Sequence, residues 1–243
     1  MGVPRAHAEV TLLGGFGLTY GGCEVVLPMG GQRLVAILAL RGRMSRSRLA
    51  GALRPETTEQ RAHASLRTGI WRVNQAASGL VVARNGQVGL DARARVDVAE
   101  LVRRSVAVMG GEELDVPMLY PGELGTELLP DWDDPWLTDE RERLRQLRLH
   151  MLERVADRLT VAGQFGLAIE VAFSVLQADM LRESAHRALV RAHLAEGNVV
   201  EARRAYAACE LLLNRELGVA PTVAMTGLLA SIGGASDAGV TGM

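Results

Sequence analysis

The stretch that decides the fold is RAHASLRTGIWRV, residues Arg61–Val73. Stepped at 100° per residue, Ala62, Leu66, Ile70, Val73 and Ala77 form one apolar stripe, the pattern of a helix packed on one side only. The other side carries Arg61, Ser65, Arg67, Thr68, Trp71, Arg72 and Gln75. Hydrogen-bond donors dominate that face, and it holds no carboxylate. A solvent-facing helix of this kind suits an anionic partner.

The flanking sequence gives this helix a setting. Gly31–Arg43, apolar at Leu34, Ile37, Leu38 and the following Met44, predicts a preceding helix. Ser45 is suited to cap a short helix over Arg46–Leu53, which Arg54-Pro55 ends. Thr57 and Gln60 have the spacing of a capping box for the exposed helix. Downstream, Leu80–Arg84 and Gln87–Asp91 flank Asn85-Gly86, the pair that tolerates the positive φ angles of a type I′ hairpin turn. Val10–Leu27 predicts two or three short strands, and Gly15-Phe16-Gly17 reads as turns rather than a nucleotide loop.

Helix, helix, hairpin in this order predicts a winged helix-turn-helix, whose second helix enters the DNA major groove. Arg67 and Thr68, mid-helix, are the candidates for base readout. Trp71 and Arg72 are candidates for the DNA backbone, and Arg61, able to contact phosphate or guanine, and Ser65 belong to the same DNA-binding face. Arg84, Asn85 and Gln87 would be presented by the wing, although a hairpin that merely seals the core remains the other reading. His63, at the edge of the stripe, is expected to be half-buried packing.

Charge supports the division. All 27 basic residues are Arg. Residues 1–95 hold 13 Arg against five acids, Glu9, Glu24, Glu56, Glu59 and Asp91, while the remainder holds 14 Arg against 23 acids. A basic front and an acidic back suggest an anionic partner for the front alone. The absence of Lys excludes a Walker A loop, a Schiff base and a Ser-Lys dyad.

Beyond Val96 helical periodicity takes over. A helix is predicted over Val96–Val108, then a loop-rich connection over Gly110–Pro130. A long amphipathic helix over Leu137–Leu159 follows, with Trp132 and Trp136 as packing anchors. Gly163 and Gly197 lie 34 residues apart, as do Ala168 and Ala202, and Ala172 and Tyr206. That is the tetratricopeptide period. A last helix is expected over Val223–Leu229 and a flexible tail over 231–243.

The expected architecture is therefore mainly α. A winged helix-turn-helix over residues 1–95 precedes an all-α, tetratricopeptide-like domain over 96–230. Cys23 and Cys209 have no metal-ligand spacing, and the five His are scattered without an HExxH pattern. The expectation is no catalysis, no metal, no cofactor and no membrane span, in a cytoplasmic, nucleoid-associated protein. A tetratricopeptide-type interaction scaffold, or a ligand-responsive regulator without direct activation, is the alternative.

In this order the residues resemble the Streptomyces antibiotic regulatory protein (SARP) family, which pairs an OmpR-like winged helix with a bacterial transcriptional activation domain. The resemblance rests on Ser65-Leu66-Arg67-Thr68 with Trp71-Arg72, Val96-Asp97-Val98, Tyr120-Pro121-Gly122-Glu123-Leu124 and Asp131-Trp132 with Trp136-Leu137. It continues in Glu140-Arg141-Glu142-Arg143-Leu144, Leu181-Arg182-Glu183, and Glu216-Leu217-Gly218 with Pro221. It departs at Arg54, Met180 and Gly69, where the family commonly has Trp, Pro and Ala. The resemblance implies a transcriptional activator of a secondary-metabolite (antibiotic) gene cluster. It also implies binding to promoter direct repeats near the −35 region, as a side-by-side, head-to-tail homodimer, with contacts to RNA polymerase and its sigma factor.

Overall fold

The computed structural model describes residues 7–111 and 126–233. The chain divides into two compact units, one of residues 1–105 with 125–145 and one of 106–124 with 146–243.

The first unit opens with β1 (Ala8–Thr11), β2 (Gly17–Tyr20) and β3 (Cys23–Glu24), joined in order by antiparallel pairing. Then come α1 (Met29–Arg41), β4 (Met44–Ser45), α2 (Arg46–Leu53) and α3 (Glu59–Ala76). The hairpin of β5 (Val81–Arg84) and β6 (Gln87–Leu90) follows, and β4 pairs with β6 to make a three-stranded wing sheet. β7 (Arg95–Val96) returns to lie parallel to β1 and leads into α4 (Asp97–Met109). This is the expected helix-turn-helix with its wing.

Three local readings are corrected. α1 begins at Met29 and ends at Arg41, because Gly42 takes φ 72°. Met44, counted with that helix's apolar pattern, is instead a wing strand residue opposite Val88. The capping box does not form: Thr58 is the N-cap, without a side-chain bond, and Thr57 Oγ1 donates to the Arg54 carbonyl at 3.2 Å. Ser45, in contrast, caps α2 as expected, accepting from the Arg48 N–H at 3.3 Å.

The first unit extends past the expected boundary at residue 95, for identifiable reasons. Asp97 Oδ2 accepts from the N–H groups of Leu12 (2.8 Å) and Leu13 (2.9 Å), so the start of α4 terminates β1. The Leu129 N–H donates to the Leu12 carbonyl at 2.9 Å, and Trp132 stacks on Phe16 with centroids 6.1 Å apart. Trp132 is buried, as an anchor should be, and Trp136 lies beside the Arg41 guanidinium at 5.6 Å.

α5 (Trp136–Val161) supplies its early residues to the first unit and its later ones to the second. The second unit continues with α6 (Phe165–Ala178), α7 (Glu183–Glu196), α8 (Val199–Leu217) and α9 (Val223–Gly233). The 34-residue period has a structural cause. Gly163 and Gly197 both turn the chain at positive φ, 75° and 86°, after alternate helices, α5 and α7. Ala168 and Ala202 are both completely buried, which allows close helix approach. Arg182 and Ser184 both donate to Glu153, and the Thr222 N–H donates to Glu183 at 2.9 Å, tying α7 to its neighbours. α9 runs through Gly233, past residue 231, where a flexible tail was expected to begin; residues 234–243 lie outside the described residues. The connection over 112–125, with its Tyr120–Leu124 motif, does so too.

Candidate nucleic-acid interface

α3 is built as its sequence periodicity requires. Ala62, Leu66, Val73 and Ala77 are buried, Ile70 is half-buried, and the opposite face is open. Arg61, Ser65, Arg67, Thr68, Trp71 and Arg72 are all exposed, Trp71 at 62%. The Thr68 hydroxyl donates to the Ala64 carbonyl at 3.2 Å, so its proton is committed to the helix. Its methyl and its lone pairs remain available to a ligand. His63 is half-buried, beside Ser47 (3.3 Å) and Glu59 (3.6 Å), in keeping with a packing role.

The wing tip also has its expected geometry. Asn85 and Gly86 take φ 51° and 75°, and Arg84 pairs with Gln87 across the turn. Arg84, Asn85 and Gln87 are exposed. The nine expected residues thus fall into two groups. Ser65, Thr68 and Arg72 line one cleft with Arg54, while Arg84 belongs to a recess at the wing base with Ser78, Asp91 and Arg93. In that recess the Arg93 guanidinium and N–H bond the Asp91 carboxylate and hold its pKa near 2.

Electrostatics separates the arginines of this unit into two classes. Arg33 pairs with Asp134 (3.0 Å), Arg41 with Glu140 (3.1 Å) and Arg93 with Asp91 (2.9 Å). Arg103 and Arg104 both pair with Glu100. By contrast, Arg43, Arg46, Arg48, Arg54, Arg61, Arg67 and Arg72 have no carboxylate partner among the described residues, and all seven are exposed. They lie on α2, on α3 and on the turns flanking α2. Guanidinium groups left unneutralised keep their full attraction for phosphate and their forked donors for base edges.

Two kinds of residue were missed by the pattern analysis. Arg43, Arg46, Arg48 and Arg54 belong to the same basic surface, and the visible signal was the absence of any acid between Glu24 and Glu56. Asn74 was missed because it looks like any polar helix residue. Its side-chain amide donates to the Val81 carbonyl at 2.8 Å and its oxygen accepts from the Val81 N–H at 2.9 Å, fastening α3 to the wing. Among the described residues no group of His, Cys, Asp and Glu could hold a metal, and no helix is long and apolar enough to cross a membrane.

Comparison with known proteins bears on the rest of the chain. Residues 118–232 match the family model of the bacterial transcriptional activator domain. No curated protein matches the sequence. Among solved structures, Mycobacterium tuberculosis EmbR, in complex with a low-affinity phosphopeptide, is similar in fold with a TM-score of 0.68 at 18% identity. The match covers 94% of this chain, but the chain spans only 65% of that structure's length. Residues 118–232 thus carry a bacterial transcriptional activator domain, and the chain as a whole has the fold of that regulator.

Proposed function

We propose that this activator works by binding duplex DNA through α3 and the wing. The single observation that carries the reading is the set of seven exposed arginines, on and around α2 and α3, that no carboxylate among the described residues neutralises. In this reading α3 lies in the major groove with Arg67 and Thr68 toward the bases. Arg61, Arg72 and the arginines around α2 hold phosphates, and Arg84, Asn85 and Gln87 reach the adjacent groove. Phosphate contacts position the protein and base contacts specify the site.

By the SARP resemblance, two protomers bind side by side on direct repeats near the −35 region. They recruit RNA polymerase and its sigma factor to a secondary-metabolite gene cluster, in the cytoplasm. A pure interaction scaffold has no use for so many arginines left without a carboxylate partner among the described residues.

The test is a binding titration of the full chain with promoter fragments and scrambled duplex across a range of salt. Each phosphate contact contributes about −0.9 to the slope of log K against log salt. Several contacts therefore give a steep fall, together with a preference for particular promoter fragments. A flat salt response, or equal affinity for every duplex, overturns the proposal.

A further inference from the structure

Gly89 sits on β6, the central strand of the wing sheet, between β4 and β5. Glycine inside a strand forgoes side-chain packing, and it often marks the close approach of another group. Here the group is Arg43. A methyl group on Gly89 would lie 2.5 Å from Arg43 Cγ and 3.3 Å from its Nε, but 3.5 Å from its Cα, an ordinary contact. The space over Gly89 is therefore taken by the aliphatic stem of Arg43, while the backbone alone has room for a methyl group. Gly89 does not take a positive φ, so conformation is not the reason for glycine.

The strand pairing places this arginine. Met44 lies opposite Val88 and Ser45 opposite Gln87, so Arg43, one residue earlier, meets Gly89 in the same register. Side chains two residues apart on a strand share a face. Arg43 and Gly89 thus stand on the face that carries Arg84 and Gln87, whereas Met44 and Val88 are buried on the other. Gly89 is buried and Arg43 is exposed, as a stem laid on the sheet with its guanidinium in water requires. Arg43 has no carboxylate partner among the described residues.

We infer that Gly89 is a positioning residue for DNA binding: its missing side chain seats the stem of Arg43 and so holds that guanidinium, on the wing face shared with Arg84 and Gln87, as a phosphate contact. A long side chain loses rotamer freedom when it is immobilised on a ligand. A stem that is already packed loses less, so the seat raises affinity without adding a contact. The DNA role rests on the reading above; the seating of the stem does not.

The experiment is a mutant cycle on the full chain, read by titration with random-sequence duplex DNA at several salt concentrations. Arg43→Ala is expected to weaken binding at least fivefold and to reduce the salt slope by about 0.9. Gly89→Ala keeps every charge, yet is expected to weaken binding at least threefold, because its methyl group displaces the stem. The double variant is expected within twofold of Arg43→Ala, since a seat without its arginine has nothing to position. Circular dichroism checks that each variant folds. A nuclear Overhauser contact between the Gly89 α-protons and the Arg43 γ-protons is expected in the wild-type chain without DNA, and it carries the test of the seat if Gly89→Ala fails to fold. Wild-type affinity in Gly89→Ala, losses that multiply in the double variant, or absence of the Overhauser contact overturns the positioning role. Wild-type affinity in Arg43→Ala overturns the phosphate contact and the proposal with it. The Overhauser contact in a chain that binds no duplex leaves the seat standing and overturns the DNA reading instead.

Discussion

Asn74, near the end of α3, makes two hydrogen bonds to one residue, accepting from the Val81 N–H and donating to the Val81 carbonyl at the first position of β5. One amide side chain thereby continues the wing's hydrogen-bond ladder onto the helix that carries the candidate readout residues. The distance between helix and wing is set at this point. Leaving both Val81 groups unpaired costs about 1–3 kcal/mol each when they are shielded from water. Asn74→Ala is expected to lower unfolding stability by about 2–4 kcal/mol, read by urea denaturation. Asn74→Asp keeps the acceptor and loses the donor, so it should fall between the two. An unchanged denaturation midpoint in Asn74→Ala would show that the pair does not tie helix to wing.

Arg141 is the corresponding fastener for residues 125–145. Its guanidinium donates to the carbonyls of Leu128 (2.9 Å), Leu129 and Trp132 (2.9 Å). Leu129 needs the help, since it sits at φ 45°, unusual for a branched residue. Arg141→Met keeps the aliphatic stem and removes every donor. We expect a loss of about 2–4 kcal/mol, by the cost of hydrogen bonds to a charged group, measured as a lower melting midpoint. Truncation tests the same packing. A chain ending at residue 145 should fold cooperatively. One ending at residue 95 should not, because it lacks Asp97 at the amides of Leu12 and Leu13 and lacks Trp132 on Phe16.

Arg67 and Arg46 are expected to fail differently. Arg67→Ala should cost about 1–3 kcal/mol of discrimination between operator and scrambled duplex if the side chain is bidentate to guanine. Arg46→Ala should weaken both duplexes alike and reduce the salt slope by about 0.9, the signature of one phosphate contact. Fluorescence anisotropy at several salt concentrations separates them. Equal loss on both duplexes for Arg67→Ala would reassign it to the backbone.

The two cysteines should differ sharply toward a thiol reagent. Cys23 is exposed, whereas Cys209 is buried among Val190, Ala202, Leu213 and Met225. Burial pushes its thiol up to about 11. At pH 8 the folded chain should take up one equivalent of maleimide rapidly and the second only in denaturant. The raised value also sets a sign. The unfolded thiol ionises first, so this group's contribution is intact below about pH 8.5 and is lost as pH climbs toward 11. Cys209→Ala should remove that part of the alkaline loss of stability. Rapid labelling of both thiols in the folded chain would contradict the packing of α8.

Asp91 gives the opposite case at the wing base. Hydrogen bonds from the Arg93 side chain, then from its N–H, hold the carboxyl near 2. The folded pKa is depressed, so its contribution is present above the usual carboxylate value and is lost as pH falls from about 4 toward 2. Asp91→Asn should flatten the stability profile over that window and lower its plateau above pH 5, where the carboxylate's contribution is otherwise fully present. The same acid sensitivity in wild type and variant would assign it to another carboxylate.

The parts of this molecule legible in one dimension are those with a local physical cause. The stripe of α3 follows from helical geometry, the Asn85-Gly86 turn from the φ angles those residues tolerate, and the 34-residue period from Gly163 and Gly197, which turn the chain at equivalent points. The Thr57 capping box failed because its spacing was right while the Thr57 hydroxyl found the Arg54 carbonyl instead. Which arginines remain without a carboxylate partner among the described residues was beyond the reach of sequence. Arg33, Arg41 and Arg46 look alike along the chain, yet Asp134 and Glu140, about a hundred residues away, neutralise the first two and not the third. The same long-range packing brings residues 125–145 into the first unit. Local geometry is set by neighbouring residues, but a charge is cancelled by whatever the fold places within a few ångströms of it, and only the tertiary structure decides that.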